Sequence, residues 1–180
     1  MRPVALTVGA LLATAALLSA CSDGPPPLGD SHVGNVACFG IQEPPGKIVA
    51  FGGTILQNTS SSTVTVQNVT LGSPHGEKMT GGAWLIPILK DSETGTGDWP
   101  PTAPGPGRAR AWALRHRAAG AVIKPGQSAE LIVGVSRTGF GEGKSTGPVI
   151  VYSAGGSTFT VQKYPSIWLG DHPCHGWKAG

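Results

Sequence analysis

The feature that most constrains the fold is a set of short runs in which apolar and polar residues alternate. In residues 63–71, Val64, Val66 and Val69 stand among threonine, glutamine and asparagine residues. Because successive side chains of a strand point to opposite faces of a sheet, this spacing predicts a half-buried β-strand. Turn-forming residues separate further runs that we also predict to be strands: 48–57, 83–89, 121–123, 129–135, 149–153 and 158–162.

Composition supports a β-rich domain and excludes other classes. The chain has 28 glycines and 16 prolines among 180 residues, and 39% of its residues are hydrophobic but only 13% charged. It is therefore too apolar for a disordered protein and too poor in charged helix formers for a helical bundle. We predict no convincing helix in the folded domain. Residues 109–116 are predicted as an alternating strand, with a short helix as the alternative.

Glycine and asparagine residues mark the predicted turns. Residues 58–62 are predicted to join the first two strands as an antiparallel hairpin, and residues 155–156 to form a two-residue hairpin turn. The glycines at 52–53 predict a bulge. Residues 91–107 are predicted as a long functional or flexible loop, and residues 139–147 as a glycine-rich turn.

Three segments resemble parts of bacterial immunoglobulin-like modules. Residues 55–60 are similar to a strand that ends in an asparagine turn, residues 123–131 follow the pattern I-x-P-G-x-S-A-x-L, and residues 147–152 resemble a penultimate strand. The resemblance covers about residues 46–165 and implies an all-β fold, an immunoglobulin-like antiparallel β-sandwich of about seven to eight strands. Such a fold hosts many functions and identifies none of them.

The N-terminus resembles the signal peptide of bacterial lipoproteins. A positively charged start precedes an apolar run at 4–18, and Leu-Ser-Ala-Cys at 18–21 then supplies a lipobox. The resemblance implies cleavage before Cys21 and a lipid on its sulfur, which anchors the protein at the extracytoplasmic face of the cell membrane. An ordinary cleaved signal and a transmembrane anchor are the alternatives. The apolar run of about 15 residues is shorter than the roughly 20 that a spanning helix needs.

This resemblance divides the chain into three parts. Residues 1–20 are the predicted lipoprotein signal peptide, residues 21–31 the lipidated cysteine and a proline-rich tether, and residues 32–180 the β-sandwich domain. The tether contains three consecutive prolines and no apolar periodicity, which predicts an extended spacer.

Two cysteines, Cys38 and Cys174, remain once Cys21 is assigned to lipid. Outside the cytosol, two cysteines in a small domain are most simply explained by one disulfide. That bond would tie the two ends of the domain together. Free thiols and metal ligands are the alternatives.

Residues 171–175 provide an alternative metal site. The sequence is Asp-His-Pro-Cys-His, and the imidazoles of His172 and His175 are suitable ligands for zinc or copper. The predicted disulfide would bring His32 toward both, because His32 lies near Cys38 in the sequence. Against this site, no established ligand spacing occurs and the disulfide would consume the thiolate.

Arginine and tryptophan residues concentrate at the end of the long loop. Exposed indoles and guanidiniums are typical interface anchors, so we predict a binding surface here for an envelope protein or cell-wall polymer. The alternative is a solvated strand edge that uses arginine to discourage pairing, and strand alternation would divide the charges between two faces. The predicted surface comprises Trp99, Arg108, Arg110, Arg115 and Arg117.

Catalytic patterns occur only in unsuitable contexts. Residues 143–147 match the nucleophile-elbow pattern, with Asp171 and His172 following in hydrolase order. The elbow requires a strand-to-helix turn, whereas a β-branched run follows here. Residues 139–145 resemble a phosphate loop but have three residues between their glycines where that motif requires four.

These observations predict a non-enzymatic, membrane-tethered binding or structural module without a cofactor. Its expected partners are the membrane, through Cys21, and a protein or cell-envelope component. Nucleic acid is not expected at this location. Binding of zinc or copper in the envelope is the second hypothesis, and hydrolysis is the third.

Overall fold

The computed structural model describes residues 26–30, 36–40, 44–90, 92, 94–101, 106–163 and 165–170. These residues form thirteen strands and one helix, and the strands pair mostly antiparallel. The predicted all-β sandwich is therefore confirmed. The strands outnumber the expected seven to eight (a rough figure from turn spacing) because further short strands lie outside the predicted runs. One of them, Leu28–Asp30, lies at the end of the predicted extended tether and pairs with Leu56–Asn58.

The first sheet contains a bulge at the predicted glycine pair. Its register shifts between Phe51 and Thr54. At this bulge one carboxylate oxygen of Glu130 accepts hydrogen bonds from the backbone N–H of Gly53 at 2.7 Å and of Thr94 at 3.0 Å. The six strands of this sheet are β1 (Leu28–Asp30), β3 (Val49–Asn58), β5 (Glu77–Pro87), β6 (Thr96–Asp98), β7 (His116–Arg117) and β9 (Ser128–Arg137).

Two of these strands, β7 and β1, lie at the ends of the order β1-β3-β9-β5-β7, and β6 also pairs with β3. The second sheet has the order β12-β11-β4-β8, and the third has the order β10-β13-β2, in which β13 and β2 are parallel. Their strands are β2 (Val36–Gly40), β4 (Val64–Leu71), β8 (Val122–Ile123), β10 (Gly143–Ser145), β11 (Pro148–Ala154), β12 (Ser157–Gln162) and β13 (Ser166–Gly170).

One hydrophobic core lies between the first two sheets. In β11 the alternate residues Ile150, Tyr152 and Ala154 are buried, as a period of two requires. The third sheet contributes Ile167 and Leu169 to the same core. Full burial of such side chains stabilises the fold by about 1.5–3 kcal/mol each.

The predicted hairpin between β3 and β4 is wrong, because these strands belong to different sheets. The turn between them is an arch held by Asn58, whose side chain is fully buried. Its amide nitrogen donates to the carbonyl oxygens of Ser62 at 2.8 Å and Ile123 at 2.9 Å. Its amide oxygen accepts from the backbone N–H of Ser60 at 3.0 Å. The bond to Ile123 ties the arch to a strand 65 positions away.

The hairpin predicted at 155–156 is confirmed. Strands β11 and β12 pair antiparallel across Gly155 and Gly156, both of which have positive φ. This conformation suits the two-residue turns that match strand twist.

Candidate functional site

A helix, α1 (Pro106–Ala113), covers the outer face of the first sheet. The strand predicted at 109–116 is wrong, and its alternative, a short helix, is the structure found here. The prediction that the folded domain lacks a convincing helix is also wrong. Proline is tolerated in the first turn of a helix, and alanine and arginine are good helix formers. The helix buries Ala111 and Trp112 against Ala50 and Ile132 of the sheet.

Three tryptophans pack together beneath and beside α1. The ring centroids of Trp84 and Trp112 are 5.8 Å apart, and those of Trp99 and Trp112 are 5.2 Å apart in a T-shaped arrangement. Edge-to-face contact of this kind is favourable because the positive edge of one ring meets the negative face of the other. The indole N–H of Trp84 donates to the carbonyl oxygen of Gly81 at 2.9 Å.

Two glycines make room for Trp99 on the sheet. A Cβ atom at Gly81 would lie 2.8 Å from the Trp99 ring, and one at Gly134 would lie 2.9 Å from it. Since real Cβ atoms do not approach other atoms so closely, these positions require glycine. Trp99 is therefore a half-buried packing residue, and the expectation of a freely exposed indole is wrong.

Two arginines stack on the tryptophans from the solvent side. The guanidinium of Arg115 lies 5.2 Å from the Trp84 ring centroid and 4.7 Å from that of Trp112, and Arg117 lies 4.1 Å from Trp84. Arg115 also donates to the carbonyl oxygen of Trp112 at 2.9 Å. Both arginines are exposed. Cation–π contacts of this kind contribute about 0.5–1 kcal/mol each at exposed sites.

We name this set the tryptophan–arginine cluster. The structure brings Trp99 together with two of the predicted arginines, because all contact the same tryptophan pair. Arg110 lies on α1 and is exposed, whereas Arg108 is half-buried. The alternating strand that would have divided the charges between two faces does not exist. The edge-strand alternative keeps partial support, since Arg117 lies on the edge strand β7. The cluster comprises Trp84, Trp99, Trp112, Arg115 and Arg117.

Several predicted site residues lie outside the part of the chain that the structure describes: Cys21, His32, His172, Cys174 and His175. Cys38 lies in β2, and its predicted disulfide with Cys174 stays a prediction, as does the zinc or copper alternative. Among the described residues, no group of three or more potential ligands is placed to hold a metal ion. In the same residues no helix has the length and apolarity needed to cross a membrane.

The sequence did not identify the buried carboxyl groups of Glu130 and Glu77, and that of Glu77 is the less well paired. The side chain is 5% exposed, and neither of its oxygens has a well-aligned hydrogen-bond partner among the described residues. Burial raises the pKa of Glu77 to about 7, and the nearby hydroxyl of Ser145 opposes this rise. Met79 is the only large apolar residue in 77–82, so no sustained alternation marks Glu77 as inward-facing.

Ser145 belongs to the motif that resembles a nucleophile elbow. It is buried in β10, and the strand β11 follows it. The strand-to-helix turn that exposes an elbow serine is therefore not the local structure here.

No protein-family model matches this chain, and comparisons with curated proteins and with solved structures found no significant match. Functional inference therefore depends on the site itself.

We expect Gly134→Ala to destabilise the protein by about 1–3 kcal/mol, because the added methyl group overpacks the surface beneath Trp99. The displaced indole should also change tryptophan fluorescence in the native state. Chemical denaturation followed by fluorescence measures both effects. Gly97→Ala is the matched control, since a Cβ there has no neighbour within 4 Å. Equal effects of the two substitutions would contradict the packing role of Gly134.

We expect Glu77 to make the protein less stable as the pH rises. The pKa of Glu77 is raised from 4.5 to about 7 in the folded state, so its stabilising protonated form is fully present below about 4.5 and is lost as the pH passes 7. Glu77→Gln should match the parent at low pH and exceed its stability above pH 7, by on the order of 3 kcal/mol. Denaturation across this pH range measures the difference.

The control for this prediction is Glu142→Gln, which changes an exposed carboxyl group in the turn before β10. Its pH–stability curve should follow that of the parent. If the Glu77→Gln curve also runs parallel to the parent's, burial does not control the ionisation of Glu77.

Proposed function

We propose that this protein is a membrane-anchored extracytoplasmic lipoprotein whose β-sandwich is a non-enzymatic binding module. Its partner is an anionic envelope component, either an acidic protein or a cell-wall polymer, held by the tryptophan–arginine cluster with Arg110. The observation that carries this proposal is the pair of exposed guanidiniums, Arg115 and Arg117, stacked on buried or half-buried tryptophans.

Stacking favours binding because it fixes the arginines before a partner arrives. A free arginine side chain loses substantial rotamer entropy when it is immobilised at an interface, and prior ordering reduces that cost. Planar guanidiniums also present several donors to carboxylates and phosphates. Tryptophan and arginine are the residue types most enriched where binding energy concentrates.

The proposed location depends on the lipobox and the cysteines. A disulfide between Cys38 and Cys174 is part of this proposal, because disulfides form and persist in oxidising compartments. Strand β2 pairs in parallel with β13, so that Gly40 lies opposite Gly170. Cys174 follows Gly170 by only four positions in the sequence, which supports the proposed pairing with Cys38.

We expect Cys21→Ser to abolish lipidation, because only the cysteine thiol forms the thioether to the lipid. Metabolic labelling with an alkyne-tagged fatty acid should mark the parent protein and leave this variant unlabelled. Ser22→Ala is the control and should keep its label. A labelled Cys21→Ser variant would contradict anchoring at this residue.

We expect the double variant Arg110→Glu, Arg117→Glu to lose at least about tenfold in crosslinked partner yield in intact cells, because each reversal replaces attraction to an anionic partner with repulsion. Its free energy of unfolding should change by no more than about 1 kcal/mol, since both side chains are exposed. Crosslinking with identification of the captured molecules measures the yield.

The matched control is the double variant Lys78→Glu, Lys144→Glu. It produces the same change in net charge at two exposed positions outside the cluster. This variant should retain the parent's capture. If both double variants lose the partner equally, net charge rather than the cluster governs binding.

A further inference from the structure

An open groove of about 880 Å³ lies beside the tryptophan–arginine cluster. It is bounded by the end of β5, by the residues that follow α1, by β8 and by the start of β9. The groove therefore separates the free edge of the first sheet from that of the second. Its volume falls within the range of about 300–1,000 Å³ typical of small-molecule sites.

The groove is mostly apolar. Its buried lining residues include Leu85, Ile86 and Ile123, whereas Leu114 and Val122 are 50% and 55% exposed. A single exposed apolar side chain is common on protein surfaces, but two that line one concave site beside buried aliphatic residues indicate a ligand with apolar surface.

Charge is present on one wall of the groove. Arg115 lines it next to His116, and no aspartate or glutamate occurs among the described lining residues. Because Arg115 is stacked on Trp84 and Trp112, its positive charge is held in place at the rim. This arrangement complements a ligand that carries a negative group at one end.

The strand edges beside the groove are poorly suited to an added peptide strand. The edge strands β7 and β8 have only two residues each, and Pro87 at the end of β5 has no N–H to donate. Peptide strand addition depends on a ladder of main-chain hydrogen bonds, and short strands with proline disfavour it. An acyl chain binds through apolar contacts and needs no main-chain hydrogen bonds.

We propose that the groove binds one molecule of an anionic amphiphile, with its acyl chain along the apolar wall and its carboxylate at Arg115. The concave shape favours a single free amphiphile over the flat surface of a bilayer. This site shares Arg115 with the tryptophan–arginine cluster, but it goes beyond the proposed capture of an envelope partner and does not depend on that capture.

The test uses the full chain carrying Cys21→Ser, so that no acyl group of its own competes for the groove. Titration calorimetry below the micellar concentration compares three probes with the same chain: dodecanoate, dodecanol and dodecyltrimethylammonium. We expect saturable binding of one dodecanoate, and at least about tenfold weaker binding of the cationic probe.

Two substitutions fill the groove from opposite walls, Val122→Trp and Ala113→Trp. Both positions are exposed, and folding is checked by denaturation. Each variant that folds should bind dodecanoate at least about tenfold more weakly and keep the parent's partner capture. Arg115→Gln should weaken dodecanoate by roughly tenfold and leave dodecanol unchanged. Phe140→Ala, which removes a side chain 88% exposed and outside the groove, should have no effect.

Several results would overturn the proposal: no saturable binding of dodecanoate, equal binding of the anionic and cationic probes, or full binding by both folded tryptophan variants. Binding to anionic phospholipid vesicles without binding to monomeric dodecanoate would assign the surface to the bilayer instead. Binding of an acidic peptide alone would make it a peptide site. Loss of partner capture in the arginine double variant with intact dodecanoate binding would separate the two sites.

Discussion

Strand β9 is buried on both of its faces, and much of the remaining architecture is needed to cover it. Toward the second sheet it contributes Leu131, Val133 and Val135 to the main core. On the opposite face Ile132 is fully buried and Gly134 lies under the ring of Trp99. A sandwich with one solvated face would leave this outer surface in water. Helix α1 and Trp99 therefore bury the outer face of a hydrophobic strand. The exposed arginines stack on the solvent side of the tryptophans.

Within the cluster, the sizes of the interactions distinguish the residues that stabilise the fold from those available to bind a partner. Full burial of an apolar side chain contributes about 1.5–3 kcal/mol, and three tryptophans belong to the apolar cluster at α1. An exposed cation–π contact contributes only about 0.5–1 kcal/mol. The tryptophans thus hold the cluster in place without the arginines. Arg117 can lose its charge while the fold persists, whereas Gly134 cannot accept a methyl group without disturbing the cover.

Local patterns predicted the strands whose burial follows a simple period. Alternation identifies β4, and an apolar β-branched run between turn residues identifies β11; each strand has one face in the core. The Pro-Gly turn before β9 is also readable, since Gly126 takes the positive φ that its position in the turn requires. The partner of each strand was not readable from the sequence. A hairpin and an arch use the same turn residues, and the hydrogen bond from Asn58 to Ile123, which helps hold the arch, joins distant parts of the chain.

At the candidate site, too, local sequence pattern and contacts with distant parts of the chain predict different structures. In residues 108–114 arginine, tryptophan and leucine occur at every second position, a pattern that predicts a strand. Residues 108–113 are nevertheless helical, and two adjacent residues, Ala111 and Trp112, are both buried against the sheet. The helix then ends just before Arg115, which donates to the carbonyl oxygen of Trp112. Unpaired carbonyl groups at a helix C-terminus favour a nearby cation. The end of the helix and the tryptophan rings therefore hold the same guanidinium, that of Arg115. Its positive charge lies where the cluster meets the groove.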